Sequence, residues 1–448
     1  MKILVCSLVY SVKIPYSNKK TGIPFAHFIE FFVPLQRFME KITRHICILV
    51  MWVLMSMQLS AQNGGLDSIS ISILTCTPGT DLYAKFGHTA LRVKDYTLQK
   101  DIVFNYGCFD GSANDFVFKF VLGQTDYLLE AEPFDYLVAR YGDMGNGVKE
   151  QVLNLTKEEA NKLLFLLLDN IRPENQEYRY VWLYDNCTER ARDMVEKAVA
   201  GKVVYEREVK PQTIRQMLHE CLKDDPWVCF GIDLILGAEI DQKIDKRIQM
   251  FLPDFFSAEA DAAYIERADG SKAPYVIDTN SIIQETLVKE EASMLTSPVV
   301  MFTLLLAIAI LLFVQEWRKG RYEMWWDMVL HALQGLAGIV VGFLFFFSSH
   351  PAVDSNWLVI IFNPLPLFYA VWLVFCQMKG KKNVFAYVNL AVIAGFFVVM
   401  LTCTQSFNPA MYLLVLALLV RAMSQAHFVY HGSTPSFRFN EKEIRHKS

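Results

Sequence analysis

Five long apolar runs in the last third of the sequence constrain the fold more than any other feature. Each run supplies roughly the 20 residues that a helix needs to cross the hydrocarbon core of a bilayer. The runs cover about residues 299–315, 327–347, 358–377, 384–403 and 410–429. The chain is also 53% hydrophobic and only 20% charged, which is too apolar for an ordinary soluble protein. We therefore expect an all-α membrane domain of five transmembrane helices over residues 298–430, although Arg421 interrupts the fifth run.

The loops between these runs alternate in charge. Basic residues follow the first and third runs and recur after the fifth, whereas the loops after the second and fourth runs contain no Lys or Arg. The basic positions are Arg318, Lys319, Arg321, Lys379, Lys381, Lys382, Arg438, Lys442, Arg445 and Lys447. Since loops rich in Lys and Arg stay on the cytoplasmic side of a membrane, we expect a multi-pass protein of the inner (cytoplasmic) membrane. Its tail, residues 431–448, would be cytoplasmic and the segment before the first run periplasmic.

The N-terminal end supports the same topology. Residues 39–61 have the pattern of a secretory signal peptide, with Lys41 and Arg44 before a short apolar core and Ala61 before the expected cleavage point. This core is too short for a comfortable transmembrane helix. We interpret residues 1–38 as an extension that arises from a misassigned start codon. The alternative is a long cytoplasmic leader followed by an uncleaved anchor.

Strand and helix patterns alternate between the signal peptide and the membrane. Short alternating runs at 69–73, 102–106, 148–155 and 178–183 predict strands. Thr156 and Glu159 form a capping box before a leucine-rich helix that reaches Asn170. This order predicts an α+β periplasmic domain over residues 66–297, whose last part, from Tyr264, has the composition of a polar linker.

The stretch from Tyr184 to Arg190 places a cysteine at the start of a helix. Asp185 or Asn186 would cap that helix, and Cys187 would lie in its first turn. Apolar residues then recur at helical spacing up to Gly201. The positive end of a helix dipole favours a thiolate, so this position suits a nucleophile. The competing interpretation is a small buried cysteine without chemistry.

His88 is the predicted partner of Cys187. It follows Gly87 at the start of an alternating strand, and thiol catalysis needs a base that takes the thiol proton and returns it to the leaving group. A polar neighbour must hold the tautomer of that base. Asn105, near the end of the next strand, is our candidate, and Asp185 is the alternative. A lone histidine that merely ends a strand by bonding to a loop is the competing interpretation of His88.

The nine cysteines show no metal-binding motif. The sequence contains no CxxC pair and no His/Cys cluster of the kind that binds zinc. We therefore expect no metal or diffusible cofactor. Five of the cysteines lie in the exported segment, so at least one thiol there is free. Pairings of Cys76 with Cys108, or of Cys221 with Cys229, remain open. The net charge of -4 and the absence of a basic stripe argue against nucleic-acid binding.

Several of these residues also form a family pattern. The pattern consists of Thr75-x-x-Pro78-Gly79, Phe86-Gly87-His88-Thr89, Asn105-Tyr106-Gly107-x-Phe109 and Asp185-Asn186-Cys187, followed by Arg190 and Asp193. It resembles the Lnb N-terminal periplasmic domain, a family linked to lipoprotein N-acylation. The order of His and Cys is also similar to that of permuted papain-like enzymes such as lecithin:retinol acyltransferase. The resemblance implies a permuted papain-like thiol-enzyme domain with His88 and Cys187 as the catalytic pair, and Asn105 as the third residue.

A polar segment begins after the second apolar run and extends into the third. It runs from His350-Pro351 to Asn363-Pro364, and polar groups and prolines at that depth are costly unless they line a cavity or bond to a partner. It would contact a lipid head group or provide a second catalytic contact, or it would simply be a tight turn with a proline kink. We assign five residues to substrate binding: Asn186, Arg190, His350, Asn356 and Asn363. The simpler alternative for Arg190 is a surface ion pair with Asp193.

The function implied by this resemblance is acyl transfer at the outer face of the inner membrane. Cys187 would take a fatty acyl chain from a membrane phospholipid as a thioester and pass it to the N-terminal cysteine amine of a lipoprotein. One alternative keeps the thiol chemistry in a membrane-tethered cysteine peptidase or amidase that acts on peptidoglycan. The other is a non-enzymatic membrane scaffold with a structural thiol.

Overall fold

The computed structural model describes residues 69–109, 115–208, 210–288 and 293–431. The expected extension (1–38), the expected signal peptide (39–61) and the expected tail after residue 431 lie outside these residues. The described part combines a β-sheet domain with a helical region, as the sequence predicts.

Ten strands are present in the described residues. They are β1 (Ile69–Cys76), β2 (His88–Asp95), β3 (Lys100–Cys108), β4 (Asp126–Pro133), β5 (Val148–Leu153), β6 (Glu177–Arg179), β7 (Gly201–Val204), β8 (Tyr264–Arg267), β9 (Lys272–Pro274) and β10 (Val276–Ile283). Seven of them form one sheet in the order β10-β5-β1-β2-β3-β4-β6, and the other three form a small sheet in the order β7-β8-β9. All pairings of neighbouring strands are antiparallel.

Thirteen α-helices are described. Eight belong to the sheet domain: α1 (Phe116–Val121), α2 (Phe134–Asp143), α3 (Lys157–Asn170), α4 (Cys187–Ala198), α5 (Ile214–Cys221), α6 (Pro226–Ile235), α7 (Lys246–Gln249) and α8 (Pro253–Ala262). The helical region contains α9 (Pro298–Lys319), α10 (Met324–Phe347), α11 (Leu365–Met378), α12 (Phe385–Thr402) and α13 (Pro409–Tyr430). Short 3-10 helices occur at Leu82–Ala84, Ala238–Asp241, Met294–Thr296 and Trp357–Ile360.

Both faces of the large sheet are covered, because successive side chains of a strand point to opposite faces. In β1, Ile73 packs into the main core with α3, α4 and α8. Its neighbour Leu74 packs on the opposite face against Leu137 of α2. This layering confirms an α+β domain, and it places the start of α4 over the neighbouring strands β2 and β3.

Two sequence expectations about this domain are wrong. The strand predicted at 178–183 is only the three residues of β6, because the chain then turns and Val181 exchanges backbone hydrogen bonds with Asp185. The segment expected to be a polar linker contains β8, β9 and β10. Since β10 is an edge strand beside β5, most of its side chains stay partly or fully exposed, which explains its polar sequence.

In the part of the chain that the structure describes, five helical segments are long and apolar enough to cross a membrane, which confirms the number predicted for the helical region. The third differs in detail from a continuous run. A 3-10 turn at Trp357–Ile360 comes first, and α11 begins only at Leu365. Pro364 has no N–H to donate, so the helix starts beside it rather than continuing through it.

Arg421, the charged residue in the fifth run, is buried and paired. Its guanidinium contacts Asp327 at 2.6 Å and Glu316 at 2.8 Å. Ser424 also donates to Glu316, at 2.6 Å. A charge inside a bilayer is tolerated when it faces other helices and finds partners, so these contacts explain how α13 retains an arginine.

The sheet domain docks on the loops that contain no Lys or Arg. After α10, Ser349 donates its backbone N–H to the carbonyl of Leu122 at 2.9 Å. Gly237 donates to the carbonyl of Ala352 at 2.7 Å. Before α13, the Asn408 amide donates to Asp233 at 2.9 Å. The domain therefore lies on the side of the helices that the charge pattern assigns to the periplasm.

Gly237→Ala tests this docking. A methyl group at Gly237 would lie 2.2 Å from the backbone carbon of Ser355, so the loop must move away, at a cost of about 1–3 kcal/mol. We expect a lower melting temperature of the full-length protein in detergent. Gly231→Ala, on α6, is the matched control, because nothing lies within 4 Å of its added methyl. Equal melting temperatures for the two variants would contradict the docking.

Candidate active site

Cys187 is the first residue of α4, and Asn186 is the cap of that helix. The Asn186 side-chain oxygen accepts the backbone N–H groups of Thr188 at 2.9 Å and Glu189 at 3.1 Å. Its amide donates to the carbonyls of Trp182 and Phe251, both at 2.9 Å. These four bonds use all donors and acceptors of the amide. Asn186 therefore fixes the thiol in place and has no polar group left for the substrate contact that we predicted.

His88 opens β2 next to the start of α4. Gly87 makes this possible, because it has a φ of +76° and a Cβ there would lie 2.6 Å from the Cys76 carbonyl oxygen. Helix α4 is joined to the strand by a bond of 3.0 Å between the buried Thr89 and Thr188 hydroxyls. The predicted pair of His88 and Cys187 thus meets at the junction of a strand and a helix.

Asn105 reaches the histidine from β3, as predicted. Its side-chain oxygen lies 3.2 Å from Nε2 of His88, and its amide donates to Glu132 at 2.9 Å. The Glu132 carboxylate accepts that bond, so the amide oxygen must face the histidine. Nε2 is then the donor, and Nδ1 is the ring atom left to take the thiol proton. Arg140 holds Glu132 through two bonds of 2.6 and 2.9 Å.

The pair shifts toward a thiolate and an imidazolium. Burial opposes a thiolate, but the charge of His88 and its hydrogen bond to the sulfur outweigh burial and lower the pKa of Cys187. The backbone N–H of Thr89 contributes in the same direction. Burial likewise opposes a charged imidazole, yet the Cys187 thiolate and the Asn105 bond raise the pKa of His88. Both shifts favour a nucleophilic sulfur with a proton donor beside it.

Three other thiols of the sheet domain lack this activation. Burial raises the pKa of Cys76, Cys108 and Cys221 to about 12. The structure also leaves all seven described cysteines free, so neither of the two open disulfide pairings forms. Among the described residues, those around Cys187 form no group of metal ligands.

Aromatic rings extend from the thiol to the helical region. Gly107 (φ +87°) lies against both Cys187 and Tyr180, because a Cβ there would be 3.6 and 3.7 Å from their side chains. From Tyr180, each ring contacts the next in space, and we call this set of rings the aromatic row. It consists of Tyr180, Tyr127, Phe109, Phe116, Phe120 and His350, with neighbouring ring centroids 4.1 to 6.1 Å apart.

Helix α1 brings the aromatic row to the membrane-side loop. His350 donates from Nε2 to the Phe120 carbonyl at 2.6 Å, and Ser348 donates to the Val121 carbonyl at 2.8 Å. On the same short helix, Val117 and Phe118 are 71% and 62% exposed. Exposed apolar side chains beside the end of a membrane-length helix are typical of an element that lies in the bilayer interface.

The remaining predicted binding residues have internal partners. Arg190 pairs with Asp185 through two bonds of 2.7 Å and stacks on the Tyr178 ring. Its ion-pair partner is therefore Asp185 and not Asp193, which was the simpler alternative for this residue. Asp185 is thereby engaged away from the histidine. The substrate contact of Arg190 stays a prediction.

Asn356 and Asn363 hold the polar segment after α10 in shape. Asn356 is 1% exposed; it donates to the Leu234 carbonyl and accepts from Leu358 and Gln405. Asn363 donates to two carbonyls of the preceding turn and accepts from Leu365 at the start of α11. These bonds match the interpretation as a turn with a proline. Of the three residues assigned in this segment, only His350 joins the aromatic row.

Sequence reasoning missed the groups that orient the site from behind. Glu132 and Arg140 fix the Asn105 amide, but in the sequence Glu132 looks like any solvated residue of an alternating strand. Tyr180 and Gly107 border the thiol, and their contact depends on a bulge in β3 between Tyr106 and Cys108. No local pattern signals that irregularity.

The alkylation rate of Cys187 as a function of pH tests the activated thiol. We expect iodoacetamide to modify Cys187 at a lower pH than an ordinary cysteine, and His88→Ala to move this profile to higher pH, because the charge that opposes burial is lost. Asn105→Ala should move it by less. Site-resolved mass spectrometry gives the rates, and Cys108 in the same spectra is the internal control. An unchanged Cys187 profile in His88→Ala would contradict the pairing.

Comparison with known protein families gives a match to each of the two regions of the chain. The model of the Lnb N-terminal periplasmic domain matches residues 58–220, and that of the Lnb transmembrane domain matches residues 289–433. No curated protein and no solved structure gives a significant match. The two matched ranges together cover more than half of the sequence, in the order in which the fold presents them. The chain therefore belongs to the Lnb family.

Proposed function

We propose that this integral membrane protein is a thiol acyltransferase, which moves a fatty acyl chain from a phospholipid to the N-terminal cysteine amine of a lipoprotein. The observation that carries the proposal is the orientation of Cys187, His88 and Asn105 at one end of the aromatic row. A thiol with a lowered pKa suits covalent catalysis, and the row ends beside the membrane-length helices. The order of the three residues also supports the permuted papain-like arrangement that we inferred from the sequence.

In the first step the Cys187 thiolate attacks the carbonyl carbon of a phospholipid ester. The imidazolium of His88 protonates the departing alcohol oxygen, so a lysophospholipid leaves and the acyl chain stays on sulfur as a thioester. Asn105 keeps Nε2 protonated, which leaves Nδ1 to carry the moving proton. Loss of a general acid and base of this kind slows a reaction by about 10²–10⁴-fold.

In the second step the α-amino group of a diacylated lipoprotein cysteine attacks the thioester carbon. His88 accepts a proton from the amine, an amide forms, and the thiolate of Cys187 leaves. An amine attacks a thioester readily, so no metal or cofactor is required in this scheme. Holding both lipidated substrates at the membrane surface raises their effective concentration at the sulfur.

The surroundings of the thiol favour a lipid over peptidoglycan as the donor. The aromatic row ends at His350 and at the exposed side chains of α1, which offer an apolar surface next to the bilayer. An amidase that acts on peptidoglycan would need polar groups facing the open periplasm instead. The docking side and the charge pattern also support a periplasmic catalytic domain (66–297), a membrane domain (298–430) in the inner membrane and a cytoplasmic C-terminus.

Trapping of the thioester tests the proposed function. Full-length protein in phospholipid vesicles without a lipoprotein acceptor should gain the mass of one acyl chain, and neutral hydroxylamine should remove it. Cys187→Ala should gain none, and His88→Ala should acylate about 10²–10⁴-fold more slowly. Cys108→Ser, which alters a nearby thiol, should behave as wild type. The same adduct on Cys187→Ala, or none on the wild type, would refute the proposal.

Exposed residues of α1 provide a second prediction. Phe118→Ser should slow acylation of Cys187 from vesicles by about 10-fold or more, because burial of one large apolar side chain is worth about 1.5–3 kcal/mol and each 1.4 kcal/mol is a factor of about ten. The rate at which iodoacetamide alkylates Cys187 should not change in this variant. Phe165→Ser on α3 is the matched control, since Phe165 is 63% exposed and Phe118 62%. A similar slowing in both variants would argue against a specific role of α1.

A further inference from the structure

A second group of chemically active side chains lies away from the thiol site, where the sheet domain meets the helical region. His219 lies on α5, and Cys229 and Asp233 lie four residues apart on one face of α6. One potential ligand atom from each lies within 4.8 Å of the other two. No other group of three or more such ligands occurs among the described residues.

The distances are close to those of a tetrahedral metal site. Nε2 of His219 is 2.9 Å from Oδ2 of Asp233, and Sγ of Cys229 is 3.9 Å from the same oxygen. Around zinc, with bonds of about 2.0–2.1 Å to nitrogen and oxygen and about 2.3 Å to sulfur, neighbouring ligand atoms are about 3.3–3.6 Å apart. Nε2 of His219 and Sγ of Cys229 lie within 4.8 Å of each other, so side-chain shifts of up to about 1 Å would let all three atoms reach one ion.

The net charge of the group stays the same when a divalent ion replaces two protons. Arg215 bonds to Asp233 at 2.7 Å and is also held by two bonds of 2.9 Å to Asp241, and all three side chains are at most 3% exposed. The hydrogen bond to Asp233 raises the pKa of His219 to about 10, so two cations face the two carboxylates. A zinc ion that displaces the Nε2 proton and the thiol proton adds no net charge to this group. Arg215 and Asn408 meanwhile orient the Asp233 carboxylate from behind.

A cavity provides space for a further ligand. Its volume is about 200 Å³, and its lining includes His219, Cys229, Asn408 and Ser297. The last two are the caps of α13 and α9. A tetrahedral ion held by three protein atoms would have its fourth position open to this space, as in sites that bind a water or a substrate oxygen.

We propose that His219, Cys229 and Asp233 bind one zinc ion. Binding displaces two protons, that of the Cys229 thiol and the Nε2 proton that His219 donates to Asp233. The ion then bonds to Sγ, to Nε2 and to one carboxylate oxygen, and one position is left for water from the cavity. Because Asp233 also bonds to Asn408 at the start of α13, the ion stiffens the joint between the sheet domain and the membrane helices. This proposal is independent of the acyl-transfer chemistry at Cys187.

Metal binding to full-length protein in detergent tests the site. All variants carry Cys187→Ala as well, so that the other pair of thiol and imidazole does not contribute. After EDTA treatment and reloading with zinc, mass spectrometry of the metal should find about one ion per chain in the parent. Cys229→Ser and His219→Ala should lose it, whereas Cys221→Ser, which removes a thiol of α5 outside the group, should keep it.

Cobalt gives a readout that does not depend on any variant folding well. Replacement of zinc by Co²⁺ should produce a thiolate-to-metal absorption band in the near ultraviolet in the parent and in Cys221→Ser. The proposal is overturned by the absence of this band in the parent, or by a band and a metal content that persist in Cys229→Ser.

Discussion

The four hydrogen bonds of Asn186 are the interactions on which the thiol site depends. Two of them cap α4 and two tie the cap to the backbone at Trp182 and Phe251. Cys187 therefore lies in the first turn of a helix whose N-terminal end is held in place by these bonds. The hydroxyl bond between Thr89 and Thr188 then sets the helix against β2. His88 meets the thiol because His88 begins the strand β2 and Cys187 begins the helix α4, and the two elements are held together.

A second chain of interactions orients the base. Arg140 holds Glu132, Glu132 holds the Asn105 amide, and Asn105 holds the His88 ring. Each hydrogen bond fixes which group donates and which accepts in the next one. Glu132 therefore sets the tautomer of His88 through Asn105. The imidazolium lowers the pKa of Cys187 against the effect of burial. The same fold thus explains both the geometry and the charge state of the pair.

The sequence predicted those parts of the structure that depend on local patterns. The cap before Cys187, the capping box of α3 and the number of membrane-length helices all follow from spacing, and His88 and Asn105 were found because strand order puts them at adjacent strand ends. Contacts between distant segments left no such signal. The joining of Glu132 to Asn105 is one case, and the meeting of His219 with Cys229 and Asp233 is another. The polar composition of β10 hid a strand, because an edge strand need not be apolar on both faces.

The mass of a lipoprotein's N-terminal lipopeptide is the best test of acyl transfer by Cys187. We would compare cells that contain the wild-type protein, the Cys187→Ala variant at equal abundance, and no protein. We expect a triacylated lipopeptide in the first strain and loss of the third acyl chain in the other two. A lipopeptide that remains triacylated in the Cys187→Ala strain while the chain is lost without the protein would contradict the role of the thiol. Full triacylation in all three strains would contradict the proposed function.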